Sequence, residues 1–179
     1  MDVYEAVTSR LTVRDYKPDP VPDDVVARLL EAGRLAPSSR NLQPWHFIVI
    51  HERATIQKLG AIATSGRFTA NAPLVIAIAM ENADRPELDA GRAIQQMELV
   101  AWEEGLGTCF VGLLDADQNR DVKYLLGIPD NVDLITVLPF GYRTHAGRGS
   151  QGQKNRKSMS HIAHAERFGQ RYQAVVGSP

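Results

Sequence analysis

A sheet of three or four short strands covered by helices on both faces is the fold that three features of the sequence predict. Brief apolar runs of strand length alternate with longer stretches of helical periodicity. At 179 residues the chain has room for one domain with a packed core. Its 44% hydrophobic and 23% charged residues match an ordinary globular interior and surface, which excludes a disordered polymer.

The elements follow in chain order. Residues 1–10 place Val3, Tyr4, Ala6 and Val7 as the apolar positions of a short amphipathic helix, ending before the basic, β-branched run Arg10-Leu11-Thr12-Val13-Arg14. Pro18, Pro20 and Pro22 enforce an extended connection, because each fixes its own φ and turns its predecessor away from helix. Asp23 or Asp24 then caps a second helix over 25–35, stopped between Gly33 and Pro37. Phe47-Ile48-Val49-Ile50 reads as a buried strand bounded by Pro44 and His51-Glu52-Arg53. Helical spacing over 54–64 leads into a second buried strand, 73–80, whose proline marks its start. A long helix over 89–104 carries Ala93, Ile94, Met97, Val100 and Ala101 on one face and closes at Gly105 and Gly107. A third strand is predicted over 108–114, a short helix over 122–126 stopped by Gly127 and Pro129, and a fourth strand over 134–140. An aperiodic loop, 143–157, precedes a final helix over 160–176. Strands this few among so many helices, with helices at both ends, predict that a second subunit covers part of the surface.

Twenty Lys+Arg balance 21 Asp+Glu, so bulk charge gives no reason for a nucleic-acid or anionic-membrane partner. The single cysteine, Cys109, allows neither an internal disulfide nor a thiolate zinc cluster, as suits a reducing compartment. No apolar run reaches the length of a signal peptide or a membrane span. The expectation is a cytoplasmic protein.

Three clusters can carry chemistry. Alternation along an extended segment puts Arg10, Thr12 and Arg14 on one face, where two guanidinium groups and a hydroxyl suit a phosphate; the plain alternative is a solvated strand edge. Ala36-Pro37-Ser38-Ser39-Arg40-Asn41-Leu42-Gln43-Pro44-Trp45 packs hydroxyls, amides and a tryptophan between a helix and a strand, either to hydrogen-bond a polar ring or as a capped turn with Trp45 in the core. Lys154-Asn155-Arg156-Lys157 precedes the last predicted helix, as an anion site or as soluble surface. No nucleophile-and-base set and no metal spacing stands out, so chemistry must come from a cofactor.

Taken together, Ser9-Arg10-Leu11-Thr12-Val13-Arg14 and Ala36 to Phe47 resemble the FMN-dependent nitroreductase family. The likeness continues through the Asp89 helix, Gly105-Leu106-Gly107-Thr108-Cys109, Leu126-Gly127-Ile128-Pro129, Pro139-Phe140-Gly141-Tyr142 and Lys154-Asn155-Arg156-Lys157. It implies an α+β, α-β-α sandwich as one domain over 1–179, built as an intertwined homodimer with FMN at the interface. By matching positions, Arg10, Leu11, Thr12 and Arg14, joined by Lys154 and Arg156, would hold the FMN phosphate and ribityl chain. Pro37, Ser38, Ser39, Asn41 and Gln43 would approach the flavin from the partner subunit, and Gly112-Leu113-Leu114 would present backbone amides to the ring. Leu11 and Leu113-Leu114 depart from the commonest family pattern and bear on the shape of the pocket. The chain is short for the family, which implies an open pocket without a long helical cover.

The implied activity is ping-pong oxidoreduction. NADH or NADPH passes hydride to flavin N5, and a nitroaromatic, quinone or similar small acceptor then takes its place. Two readings stay beside it: another flavin reaction on the same scaffold (azoline dehydrogenation, flavin fragmentation or reductive dehalogenation), and a redox-inert FMN-binding module.

Overall fold

In the computed structural model, which describes residues 1–113, 115–144 and 154–172, four antiparallel strands form one open sheet in the order β1-β2-β4-β3. These are β1 (Trp45–Ile50), β2 (Leu74–Glu81), β3 (Leu106–Thr108) and β4 (Val132–Tyr142). The helices are α1 (Val3–Ser9), α2 (Asp23–Arg34), α3 (Arg53–Ile62), α4 (Pro86–Glu103), α5 (Ala116–Leu126) and the single turn α6 (Met159–Ile162). The two-residue period of β2 builds both cores at once. Leu74, Ile76, Ile78 and Met80 face Leu29 of α2 and Ile94 and Met97 of α4. Val75 and Ala77 face Ile56 and Leu59 of α3 and Val122 of α5. The predicted sandwich, helices on both faces, is therefore present.

Three expectations need correction. The third strand is Leu106–Thr108 rather than 108–114, and beyond it only Val111 rejoins β4, bridging Val137. The carbonyls after Thr108 find side-chain donors instead of a ladder: Thr136 Oγ1 donates to Val111 O at 2.8 Å, and Ser65 Oγ to Gly112 O at 2.8 Å. The short helix begins at Ala116, not 122, because Asp115 caps it through Gln118 N at 2.7 Å; its polar first half hides it from an apolar-period reading. The last helix is one turn, after which His164 bridges Arg171 around Glu166 (φ 56°) and Gly169 (φ 92°). Ile162, Phe168 and Tyr172 are exposed, so no apolar face anchors a longer helix there, and 173–176 lie outside the described residues.

α1 is amphipathic as predicted, but its apolar side faces outward. Ala6 is buried, while Val3, Tyr4 and Val7 are 76%, 79% and 52% exposed.

The extended segment after α1 lies across the β3–β4 pair, and two glycines admit it. Gly107 and Gly141 are register partners in the ladder. A Cβ at Gly107 would stand 2.5 Å from Val13 Cβ, and one at Gly141 would stand 2.8 Å from Tyr16 Cβ. The furrow left by both missing side chains seats Val13 and Tyr16. Val13 N–H donates to Thr108 O at 3.0 Å and Lys17 N–H to Tyr142 O at 2.8 Å. Tyr16 Oη donates to Val13 O at 2.7 Å, and burial raises the phenol's pKa far enough to keep it a donor.

Gly107→Ala should therefore lower stability by about 1–3 kcal/mol through overpacking against Val13. Gly91→Ala, on an open face of α4 where a Cβ meets nothing within 4 Å, should raise it by about 0.5–1 kcal/mol. Urea denaturation followed by tryptophan fluorescence checks the two opposite signs.

Candidate functional site

The furrow decides which side chains reach outward. Val13 is buried and Leu11 packs against the second core, so the alternating residues Arg10, Thr12 and Arg14 turn to the other side. The C-terminal segment brings Lys154 to the same place: its Nζ donates to Val7 O, on the last turn of α1, at 3.0 Å. Burial lowers the pKa of the Lys154 ammonium, and repulsion from Arg10 and Arg156 adds to the shift. Through its bond to Val7 O, Lys154 stands at the end of α1, beside the segment that opens with Arg10, and Arg156 follows it two residues on. Arg14 stands over the Phe68 ring at 5.7 Å and beside Cys109, whose thiol pKa is raised by burial and only partly lowered by Arg14.

Among the described residues one acid pairs with Arg10. Glu98, buried on α4, has a carboxylate oxygen 3.5 Å from Arg10 Nη2. Burial pushes its pKa up, and Arg10 opposes the shift. Among the described residues Arg10 pairs with this one carboxylate, which burial disfavours as an anion, so its guanidinium has the charge and donors that would suit a phosphate group.

The second cluster is a rigid loop. Ser39–Asn41 forms a 3₁₀ turn, and Arg40, Asn41 and Gln43 take φ values of 51°, 57° and 50°. Fully buried Asp89, in the first turn of α4, accepts from Ser39 N–H with both carboxylate oxygens at 3.1 Å. Ser38 Oγ accepts from Gln43 N–H at 2.9 Å, and Arg40 Nε donates to Asp84 at 2.9 Å. Pro37, Asn41 and Gln43 are exposed, and Ser38 and Ser39 are half-buried. Trp45 packs partly into the first core, as the plain reading of that residue held.

α4 separates the two clusters. Asp89 and Glu98 are nine residues apart, which on a helix is about 13 Å along the axis and half a turn around it. The Ser38–Gln43 loop and the cations therefore lie on opposite sides of one rod. Gly112 and Leu113 follow the Val111 bridge, with Leu113 packed partly on the second core; Leu114 lies outside the described residues.

Asp89 and Glu98 escape the sequence reading although a signal exists. They flank the stripe of Ala90, Ala93, Ile94, Met97 and Ala101 on its two margins, where a buried carboxylate has no reason to sit unless it holds something. The basic run at 154–157 does not open a helix long enough to add a dipole, since α6 is four residues. Among the described residues no group of three His, Cys, Asp or Glu could hold a metal, and no helix is long and apolar enough to cross a membrane.

Comparison with known proteins gives the same fold and a family. A Methanothermobacter thermautotrophicus protein, provisionally named NADH dehydrogenase/NAD(P)H nitroreductase, is 30% identical over 148 residues, covering 79% of this chain and 78% of that one. The crystal structure of a protein provisionally given the same name, from Parabacteroides distasonis, superposes with a TM-score of 0.82 at 27% identity, covering 90% of this chain and 96% of that one. An FMN-dependent nitroreductase from Clostridium difficile superposes with a TM-score of 0.76 at 27% identity, covering 93% and 100%. The family model described as the nitroreductase family matches residues 7–142, from the end of α1 through the last strand, and on that match the chain belongs to the nitroreductase family.

Proposed function

We propose that this chain is an FMN-dependent NAD(P)H oxidoreductase that reduces nitroaromatics, quinones or similar small acceptors. The observation that carries the reading is Arg10 in ion-pair contact with Glu98, with Lys154 from the far end of the chain bonded to the last turn of the helix that precedes Arg10, in a chain of this family. When bound, FMN would supply the redox chemistry that links NADH or NADPH to the acceptor. The protein's part is to bind, orient and shield.

Arg10, Arg14, Lys154 and Arg156 would grip the phosphate and Thr12 add a neutral donor, while Leu11, turned toward the core, would contribute main chain. Pro37, Ser38, Ser39, Asn41 and Gln43 would meet the ring system, with Gly112 and Leu113 offering backbone amides on the other side. Because α4 stands between the cations and the Ser38–Gln43 loop, the loop that completes each site would come from a second copy of the chain. The exposed Val3, Tyr4 and Val7 provide apolar surface for that copy to cover.

Anaerobic mixing of the flavin-loaded protein with NADH or NADPH should bleach the flavin, and subsequent addition of a nitroaromatic or quinone should restore its colour; flavin that stays oxidised would overturn the reading. Arg10→Ala should weaken FMN retention by about 1.5–3 kcal/mol, measured as the dissociation constant by flavin fluorescence. Size-exclusion chromatography with light scattering should return a dimer, and Tyr4→Glu should yield monomers that no longer hold flavin.

A further inference from the structure

Glu98 is costly where it stands. A buried carboxylate loses hydration, and a cluster meant only to attract phosphate is weakened by an acid within it. Its contact with Arg10, at 3.5 Å, is an ion pair without a close hydrogen bond, so the guanidinium is held but can be claimed by a stronger acceptor.

The surroundings of Glu98 are defined on each side. The segment after α1 brings Arg10, and the residues after β3 bring Cys109, whose thiol is influenced by Glu98, Arg10 and Arg14. The C-terminal segment brings Lys154, whose Nζ donates to Val7 O at 3.0 Å on the last turn before Arg10, and Arg156 two residues on. At the end of β4, Arg143 stacks on the Trp102 ring at 3.7 Å, one turn further along α4. α2 brings Arg28, which pairs with Asp24 and with Glu104 at the far end of α4, and β2 brings apolar side chains. Arg10 is thus the cation that answers Glu98, and the same guanidinium stands first at the phosphate locality.

We propose that Glu98 is a positioning residue that makes cofactor capture proton-linked: it holds the Arg10 guanidinium and takes up one proton from solvent when a flavin phosphate draws that guanidinium away. The inference rests on the FMN reading above. Deprived of its cation and placed near a dianion, a buried carboxylate is neutralised rather than left charged. Arg10 exchanges one anion for another, and the only bond to form is the O–H of the Glu98 carboxyl, its proton released by water or buffer acid in solution. Since the complex then binds more protons than the free protein, affinity falls as pH rises between the two ionisation points of Glu98. The phosphate ester's own second ionisation, near pH 6, works in the opposite direction, and comparison with Glu98→Gln subtracts it.

The test is isothermal titration of FMN into flavin-stripped protein, in buffers of different ionisation heat, over about pH 5 to 9. The wild type should take up more protons per FMN than Glu98→Gln, by as much as one. Its dissociation constant should rise by up to about tenfold per pH unit where that of the variant is flat. Riboflavin, which lacks the phosphate, should show no difference between the two proteins. Infrared difference spectra of the wild type should gain a carboxylic-acid carbonyl band when FMN is added, a result that does not depend on the variant folding. FMN binding with equal proton counts in both proteins, absence of that band, or a difference that persists with riboflavin would overturn the linkage while leaving the proposed function standing. Failure of FMN to bind the wild type would overturn both.

Discussion

The pairing of Gly107 with Gly141 across the β3–β4 ladder is the contact on which the candidate site depends. A side chain at either position would occupy the space of Val13 or Tyr16 and lift the segment that carries Arg10, Thr12 and Arg14 off the sheet. Seating Val13 in that furrow also fixes the alternation, so the outward direction of the basic side chains follows from which apolar ones the sheet admits. The packing is local, yet it orients charges that must meet Lys154 and Arg156 arriving from the opposite end of the chain.

α4 is the second organiser. It carries the core residues Ile94 and Met97 on the side facing the sheet, and two buried carboxylates along the margins of that stripe. Asp89 anchors the Ser38–Gln43 loop, and Glu98 faces Arg10. One helix thus positions two half-sites that a single protomer keeps apart, which gives the proposed two-fold assembly a geometric reason beyond the apolar exterior of α1.

Much of this was legible in the sequence for physical reasons that particular residues make plain. β2 is unmistakable because Leu74 through Met80 are apolar on both faces of a doubly covered sheet. The shared face of Arg10, Thr12 and Arg14 is readable because strand alternation needs no tertiary information. The limits are equally specific. β3 is three residues long and the chain after it is satisfied by Thr136 and Ser65, partners that lie 25 and 47 residues away and leave no local trace. The last predicted helix carries apolar residues at acceptable spacing but has no core to dock on, and periodicity cannot report a missing partner surface. Asp89 and Glu98 show in the sequence only as acids at the margins of a helical stripe, and what each one holds depends on residues distant in the chain.

The left-handed backbone at Arg40, Asn41 and Gln43 has a consequence for recognition. Residues other than glycine and asparagine resist that conformation, and Arg40 and Gln43 are held in it by Asp89, by the Ser38 hydroxyl and by the ion pair of Arg40 with Asp84. The ordering entropy of those residues is thereby spent during folding. A molecule bound at the proposed site would meet a main chain already set in place, and its binding would cost less for ordering that main chain.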